Sequence, residues 1–147
     1  MDSGNYRFAT LSDLDALFDC DPLAVSGDSK RRAQIARAIE QFQCSLWLDD
    51  DQVVGFAIAT AGTFFGRNFI ELLVVSDSAR RRGIGRSLLR AVAKSSTREV
   101  WTSTNESNLA MRALLASESW QFSGTLHGLD GDDPELFFFL NPSASHK

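Results

Sequence analysis

The sequence predicts a single α/β (α+β) domain, a mixed sheet of six to seven strands flanked by about four helices. Three observations predict it. The periodicities run in the order strand, two helices, three strands, helix, strand, helix, two strands, which suits one sheet with helices packed on it. A chain of 147 residues with 44% hydrophobic content is the size of one domain with its own core. The run Phe69-Ile70-Glu71-Leu72-Leu73-Val74-Val75 is almost continuously apolar, as a strand covered on both faces requires. Residues 1–141 are assigned to this domain and 142–147 to a frayed tail.

Tyr6 to Ala9 reads as the first strand, and Ser12 as the N-cap of a helix through Phe18 that stops before Pro22. A loop containing Gly27 leads to a second helix over Ser29 to Gln41, with Ala33, Ile35, Ala36, Ile39 and Phe42 at helical spacing. Cys44 to Leu48 and Val53 to Ala61 form a hairpin closed by Asp49-Asp50-Asp51-Gln52, and a tight segment, Gly62 to Gly66, precedes the apolar strand Asn68 to Val75. A helix from Gly83 to about Ser96 buries Ile84, Leu88, Leu89, Val92 and Ala91. Val100 to Thr104 is a fifth strand. Asn108 to Ser117 is a helix carrying Leu109, Met111, Leu114 and Leu115, and Phe122 to Leu129 and Leu136 to Leu140 are the last strands. The run Phe137-Phe138-Phe139 implies a final strand covered on both faces, inside the domain or in a homodimer contact.

Composition narrows the function. A net charge of −4 gives no overall field for nucleic acid or an anionic membrane, so no such partner is expected. The N-terminus lacks the basic and apolar regions of a signal peptide and no apolar run reaches transmembrane length, which predicts a cytoplasmic protein. Cys20 and Cys44 have no metal-ligand spacing and read as buried thiols; no metal is expected. Trp47, Trp101 and Trp120, each within or beside an apolar segment, read as core.

The informative stretch is Val74-Val75-Ser76-Asp77-Ser78-Ala79-Arg80-Arg81-Arg82-Gly83-Ile84-Gly85-Arg86-Ser87, a buried strand, a polar loop, two glycines and a helix start. Backbone N–H groups at a helix N-terminus have no acceptor in their own helix, and the helix dipole adds about half a positive charge there. Arg82, Arg86 and Arg90 at i, i+4 and i+8 put like charges on one helix face, a local cost that a polyphosphate would offset. The plainer reading is a solvated basic face with Arg80 or Arg81 paired to Asp77. The third glycine of the dinucleotide fingerprint and the Gly-Lys-Ser/Thr of a P-loop are missing.

Arg80-x-x-Gly83-x-Gly85 after an apolar strand resembles the acetyl-CoA pyrophosphate signature of the GNAT superfamily of N-acetyltransferases. The opening Tyr6 to Leu14, the segment Asn108 to Leu115 and the stretch Ser119-Trp120-Gln121-Phe122-Ser123-Gly124 are also similar to family segments. The resemblance implies a mostly antiparallel sheet, acetyl-CoA as cosubstrate, and direct transfer of acetyl to a primary amine of a small molecule or protein in a ternary complex. It implies that the N–H groups of Arg81, Arg82, Gly83, Ile84, Gly85, Arg86 and Ser87 hold the pyrophosphate, with Arg80, Arg81 and Arg86 adding side-chain charge. Leu73 and Val75 would pair their backbones with the pantetheine arm, Val74 between them, the arm lying like a strand in a gap between the strands ending at Val75 and Thr104, and the Val75 N–H would meet the developing oxyanion.

Asn108 would reach the pantetheine, cap its helix, or do both. Glu71, sharing a strand face with Phe69, Leu73 and Val75, is the candidate general base, its carboxyl tuned by the apolar run; the alternative is a glutamate paired with Arg67 or exposed. Where many relatives carry a proton-donating tyrosine this chain has Leu115, and its one tyrosine is Tyr6. That departure keeps a rival reading, a non-catalytic acyl-CoA-binding regulatory module. Asp130, Asp132, Asp133 and Glu135 are read as a solvated turn or as guides for a cationic amine.

Overall fold

The computed structural model describes residues 5–80 and 82–142, so Arg81 and the tail 143–147 lie outside the described residues. Strands β1 (Tyr6–Phe8), β2 (Cys44–Asp49), β3 (Gln52–Phe64), β4 (Arg67–Val75), β5 (Val100–Asn105), β6 (Gln121–Leu126) and β7 (Glu135–Leu140) form one sheet in the order β1-β2-β3-β4-β5-β7-β6. Its helices are α1 (Leu14–Cys20), α2 (Pro22–Val25), α3 (Ser29–Glu40), α4 (Ile84–Lys94) and α5 (Leu109–Ser117). The β4–β5 pair is parallel, while β1–β2, β2–β3, β5–β7 and β6–β7 are antiparallel. The expected architecture is therefore observed.

Several boundaries moved for identifiable reasons. The first helix is entered from Thr10 rather than Ser12: a 3-10 turn, Leu11–Asp13, comes first, and the Asp13 carboxylate accepts the Thr10 N–H at 2.8 Å. That carboxylate also takes both arms of the Arg7 guanidinium, at 2.9 and 3.0 Å. The helix stops as expected before Pro22, but α2 was not foreseen. Asp21 caps it by accepting the Leu23 N–H, and Pro22 takes the first helical position, where its missing N–H costs nothing. Phe42 is not part of the α3 apolar face. It sits past the helix end at φ 58°, with 79% of its surface exposed. β3 runs on through Gly62 to Phe64, and Phe65 and Gly66, both at positive φ, make the turn into β4. Asp50 and Asp51 turn the β2–β3 hairpin in the same left-handed region, which suits the twist of a two-residue turn.

The chain divides into two compact units, one of residues 5–59 and 72–92, the other of 60–71 and 93–142. In the first, Leu17, Ile35, Ile39, Leu46, Phe56, Ile58 and Val74 belong to one buried cluster contributed by α1, α3 and the sheet. The alternate positions of β3 face α4. A Cβ on Gly55 would lie 2.9 Å from the Val74 carbonyl oxygen and 3.5 Å from Ile84, so glycine lets the helix seat on the strand. Both faces of this half of the sheet are thus covered, which is why the end of β4 that belongs to it, Leu72 to Val75, is an unbroken apolar run. Burial pushes the Cys20 thiol up to about 11 and the Cys44 thiol up to about 12; both are free and buried.

In the second unit, Ile70, Val100, Thr102, Leu115, Trp120, Leu136 and Phe138 are buried. The Thr102 hydroxyl donates to the Ile70 carbonyl oxygen at 2.9 Å, tying β5 to β4. Alternation sends Phe69, Trp101, Phe137 and Phe139 to the other face, where they are only half-buried. Trp101 is therefore not core, unlike Trp47 and Trp120, which are each 6% exposed. Leu109 is also exposed rather than part of a buried helix face. Among the described residues no helix is long and apolar enough to cross a membrane.

Candidate functional site

β4 delivers its chain into the glycine turn under close control. The Ser76 N–H donates to the Val54 carbonyl oxygen at 2.9 Å, and the 3-10 turn Asp77–Ala79 buries Ala79 completely. Arg80 leaves this turn extended, and Gly83 takes φ 79° before α4 begins at Ile84. The Gly83 carbonyl accepts the first helical bond, from the Ser87 N–H at 3.0 Å. Gly83 thus occupies the cap position, and by helix geometry the first-turn amides of Ile84 and Gly85 have no acceptor within α4. A Cβ on Gly83 would meet nothing within 4 Å; glycine is required there by its backbone angle alone. Ile84, Leu88, Leu89 and Val92 are buried as expected, with Ala91 half-buried, so packing fixes the direction of the helix.

The arginines are arranged differently from the expected stripe. Arg82 precedes α4 and is not on its face; its guanidinium is bound by the carboxylate of Asp49, the last residue of β2. Arg80 pairs with Asp77 at 3.2 Å, the plainer reading for that residue. Arg86 and Arg90 remain exposed on α4. Asp49 escaped the sequence reading because it lies 33 residues from Arg82. Only the acidity of its turn could have signalled it. Leu73 and Val75 are half-buried, Val74 is buried and Ser87 is half-buried.

In the other unit, Glu71 is exposed on β4, so the neighbouring apolar residues do not enclose it as expected. Nor is Arg67 its partner: Arg67 pairs with Glu99 at 2.9 Å. The Trp101 indole N–H donates to the same Glu99 oxygen at 2.8 Å and, with Arg67, holds that carboxyl below its ordinary range. Asn108 is the N-cap of α5, its Oδ1 accepting the Met111 N–H at 3.1 Å. Leu115 has no exposed surface. Burial raises the pKa of Tyr6, and its ring lies 6.4 Å from that of Trp47. Glu135 gives one oxygen to the Ser103 hydroxyl at 2.7 Å and the other to the Asn105 amide at 3.3 Å.

The profile of the acetyltransferase (GNAT) family matches residues 11–117. A GNAT-family acetyltransferase from Bacillus cereus ATCC 10987 shares 33% identity over 93% of this chain and 96% of its own, with a TM-score of 0.85. The fold also resembles that of a ribosomal-protein-alanine N-acetyltransferase from Brucella melitensis, at 24% identity and TM-score 0.73, over 92% and 98% of the two chains. An aminoglycoside 6'-N-acetyltransferase complexed with coenzyme A superimposes with TM-score 0.75 at 15% identity, over 92% and 96%. No curated protein matches the chain. A strand that feeds a glycine-capped helix beside clustered arginines, a family match over most of the length and a one-third-identical relative of the same fold agree: the chain belongs to the GNAT family of acetyltransferases.

Proposed function

We propose that this protein is an N-acetyltransferase that uses acetyl-CoA to acetylate a primary amine by direct attack. The observation that carries the reading is the turn from β4 through Gly83 into α4, where a left-handed glycine precedes first-turn amides in a segment of the chain rich in arginine. Such a turn suits a pyrophosphate, because amide dipoles and guanidinium charge act on the same anion. The amides of Arg82 through Arg86 receive the pyrophosphate, while the Ser87 N–H, expected among them, is taken by the Gly83 carbonyl at 3.0 Å; Arg80 and Arg86 supply charge. For Arg81 the assignment rests on the sequence alone. The backbone of Leu73, Val74 and Val75 holds the pantetheine arm, with the Val75 N–H available to the thioester oxygen as it gains negative charge.

The attacking nitrogen must shed a proton as its bond to the acetyl carbon forms and the carbon–sulfur bond breaks. Glu71 takes that proton, directly or through water. Its exposure supports the water-mediated route, since a solvated carboxylate is reached by solvent at no desolvation cost. Asn108, already the cap of α5, offers its amide N–H groups to the arm.

A second reading, a non-catalytic acyl-CoA-binding module, is favoured by Leu115. The position that the resemblance assigns to a proton donor holds a completely buried apolar side chain. One experiment separates the two. Acetyl-CoA and CoA are titrated calorimetrically into wild type and a Gly83→Asp, Gly85→Asp variant, and thiol release is then followed with a panel of amines. Aspartate tolerates positive φ and suits a helix N-terminus, so the variant should fold while repelling a phosphate. Binding by wild type alone, with thiol release, supports the transferase. Binding without release leaves the module, and no binding sinks both.

A further inference from the structure

On the half-buried face of the second unit, rings from four strands form a continuous layer. Phe64 lies 4.8 Å from Phe69, 5.6 Å from Trp101 and 5.8 Å from Phe137, and Trp101 stacks on Phe139 at 4.9 Å. Besides Glu71, two further carboxylates on this side of the sheet differ in one respect. Glu99 is met by the Arg67 cation. Glu135, two residues before Phe137 on the same face of β7, is half-buried, and its partners among the described residues are the neutral Ser103 and Asn105. Asp130 adds negative charge by accepting from the same Asn105 amide at 3.2 Å. A half-buried carboxylate with only neutral donors, on the same strand face as a layer of aromatic rings, is complementary to a cation with an apolar body.

We propose that this aromatic face with Glu135 is the acceptor subsite, and that it selects a small primary ammonium carrying an aromatic or aliphatic body. The proposal rests on the transferase reading for its chemistry and on the face alone for its binding. Glu135 holds the ammonium form by charge, and the ring layer of Phe69 and Phe137 holds the body. Glu71, two residues beyond Phe69 on the same face of β4, then lies on the side from which the ammonium proton must leave.

The test uses 2-phenylethylamine, with phenylacetate as the anionic counterpart and ethanolamine as the amine without an apolar body. Binding to the intact protein without CoA is followed by NMR shifts of the aromatic rings, and steady-state kinetics by thiol release. Wild type should bind 2-phenylethylamine and not phenylacetate, and should prefer it to ethanolamine by about tenfold or more in KM. Glu135→Gln, which keeps an acceptor for the Ser103 hydroxyl, should raise the KM for 2-phenylethylamine by about tenfold and leave acetyl-CoA affinity unchanged. Glu99→Gln, whose charge is already met by Arg67, should shift that KM by less than about twofold. Phe137→Ala should erase the preference over ethanolamine.

Turnover with equal effects of the two glutamine variants, or none from either, overturns the subsite while the transferase stands. If acetyl-CoA does not bind, the transferase reading fails. The face is then judged by the NMR titration alone: amine binding lost in Glu135→Gln upholds it, and no binding by wild type overturns it.

Discussion

Gly83→Ala isolates a single physical cause. The added methyl has nothing within 4 Å to strike, so its whole effect comes from holding an L-residue at φ 79°. That strain is about 1–2 kcal/mol. It can be met in two ways. If the folded protein keeps the turn, stability in urea falls by that amount, about 3–7 °C in Tm for a chain of this size, and CoA affinity is preserved. If the turn relaxes, stability is kept and the strain reappears on binding as about a fivefold to thirtyfold weaker Kd. The stability loss and the binding loss should therefore sum to about 1–2 kcal/mol. Gly83→Asn, which tolerates the left-handed region better, should show a smaller sum. Urea denaturation and calorimetry on the same preparations measure both. A Gly83→Ala protein with unchanged stability and unchanged Kd would refute the reasoning, since the turn would then have no need of glycine.

Gly55→Ala is the steric counterpart: with Val74 O at 2.9 Å it should cost about 1–3 kcal/mol in urea through overpacking under α4. Asp13, paired with Arg7, titrates at about 2 when folded, below its unfolded value, so it stabilises the protein above that unfolded value and the contribution is lost as pH falls toward 2. Asp13→Asn should flatten this acid limb, a change of about 1–2 kcal/mol after screening of the half-exposed arginine, measured by denaturation at pH 2 to 5. Leu115→Ala should lower stability by about 2–5 kcal/mol, and thiol release should scale only with the folded fraction. Glu71→Gln should reduce kcat by about a hundredfold or more in the thiol-release assay; an unchanged kcat would assign the proton to another group.

Periodicity made the sheet and its helices legible where side chains repeat. Ile84, Leu88, Leu89 and Val92 announce a buried helical stripe, and all four are buried. It failed where one contact from outside decides the matter. Arg82 continues the spacing of Arg86 and Arg90, yet the chain turns at Gly83 before the helix begins and Asp49 takes the guanidinium. Phe42 continues the spacing of Ile35 and Ile39, but α3 ends at Glu40 and its next turn does not exist. Pro22 was legible as a stop and not as a start, because Asp21 and Pro22 together cap and open a single turn. At the candidate site the glycine turn is a local pattern and could be read directly. Strand alternation likewise gives the face on which Glu71 lies. Its exposure depends on what neighbouring strands carry, which no local rule reports.

The last strand of the sheet bears on how copies of this chain meet in a crowded solution. β6 ends the strand order, and its side chains are almost all exposed, Phe122 and Leu126 among them. Such an edge is a template on which another extended chain can add, the first step toward fibrous association. Here the register slips between Phe122 and Gly124, so the row of amides and carbonyls along the outer edge is broken midway. A strand arriving from a neighbouring molecule finds no continuous ladder to join, and sheet growth is checked at the backbone even where the side chains would invite it.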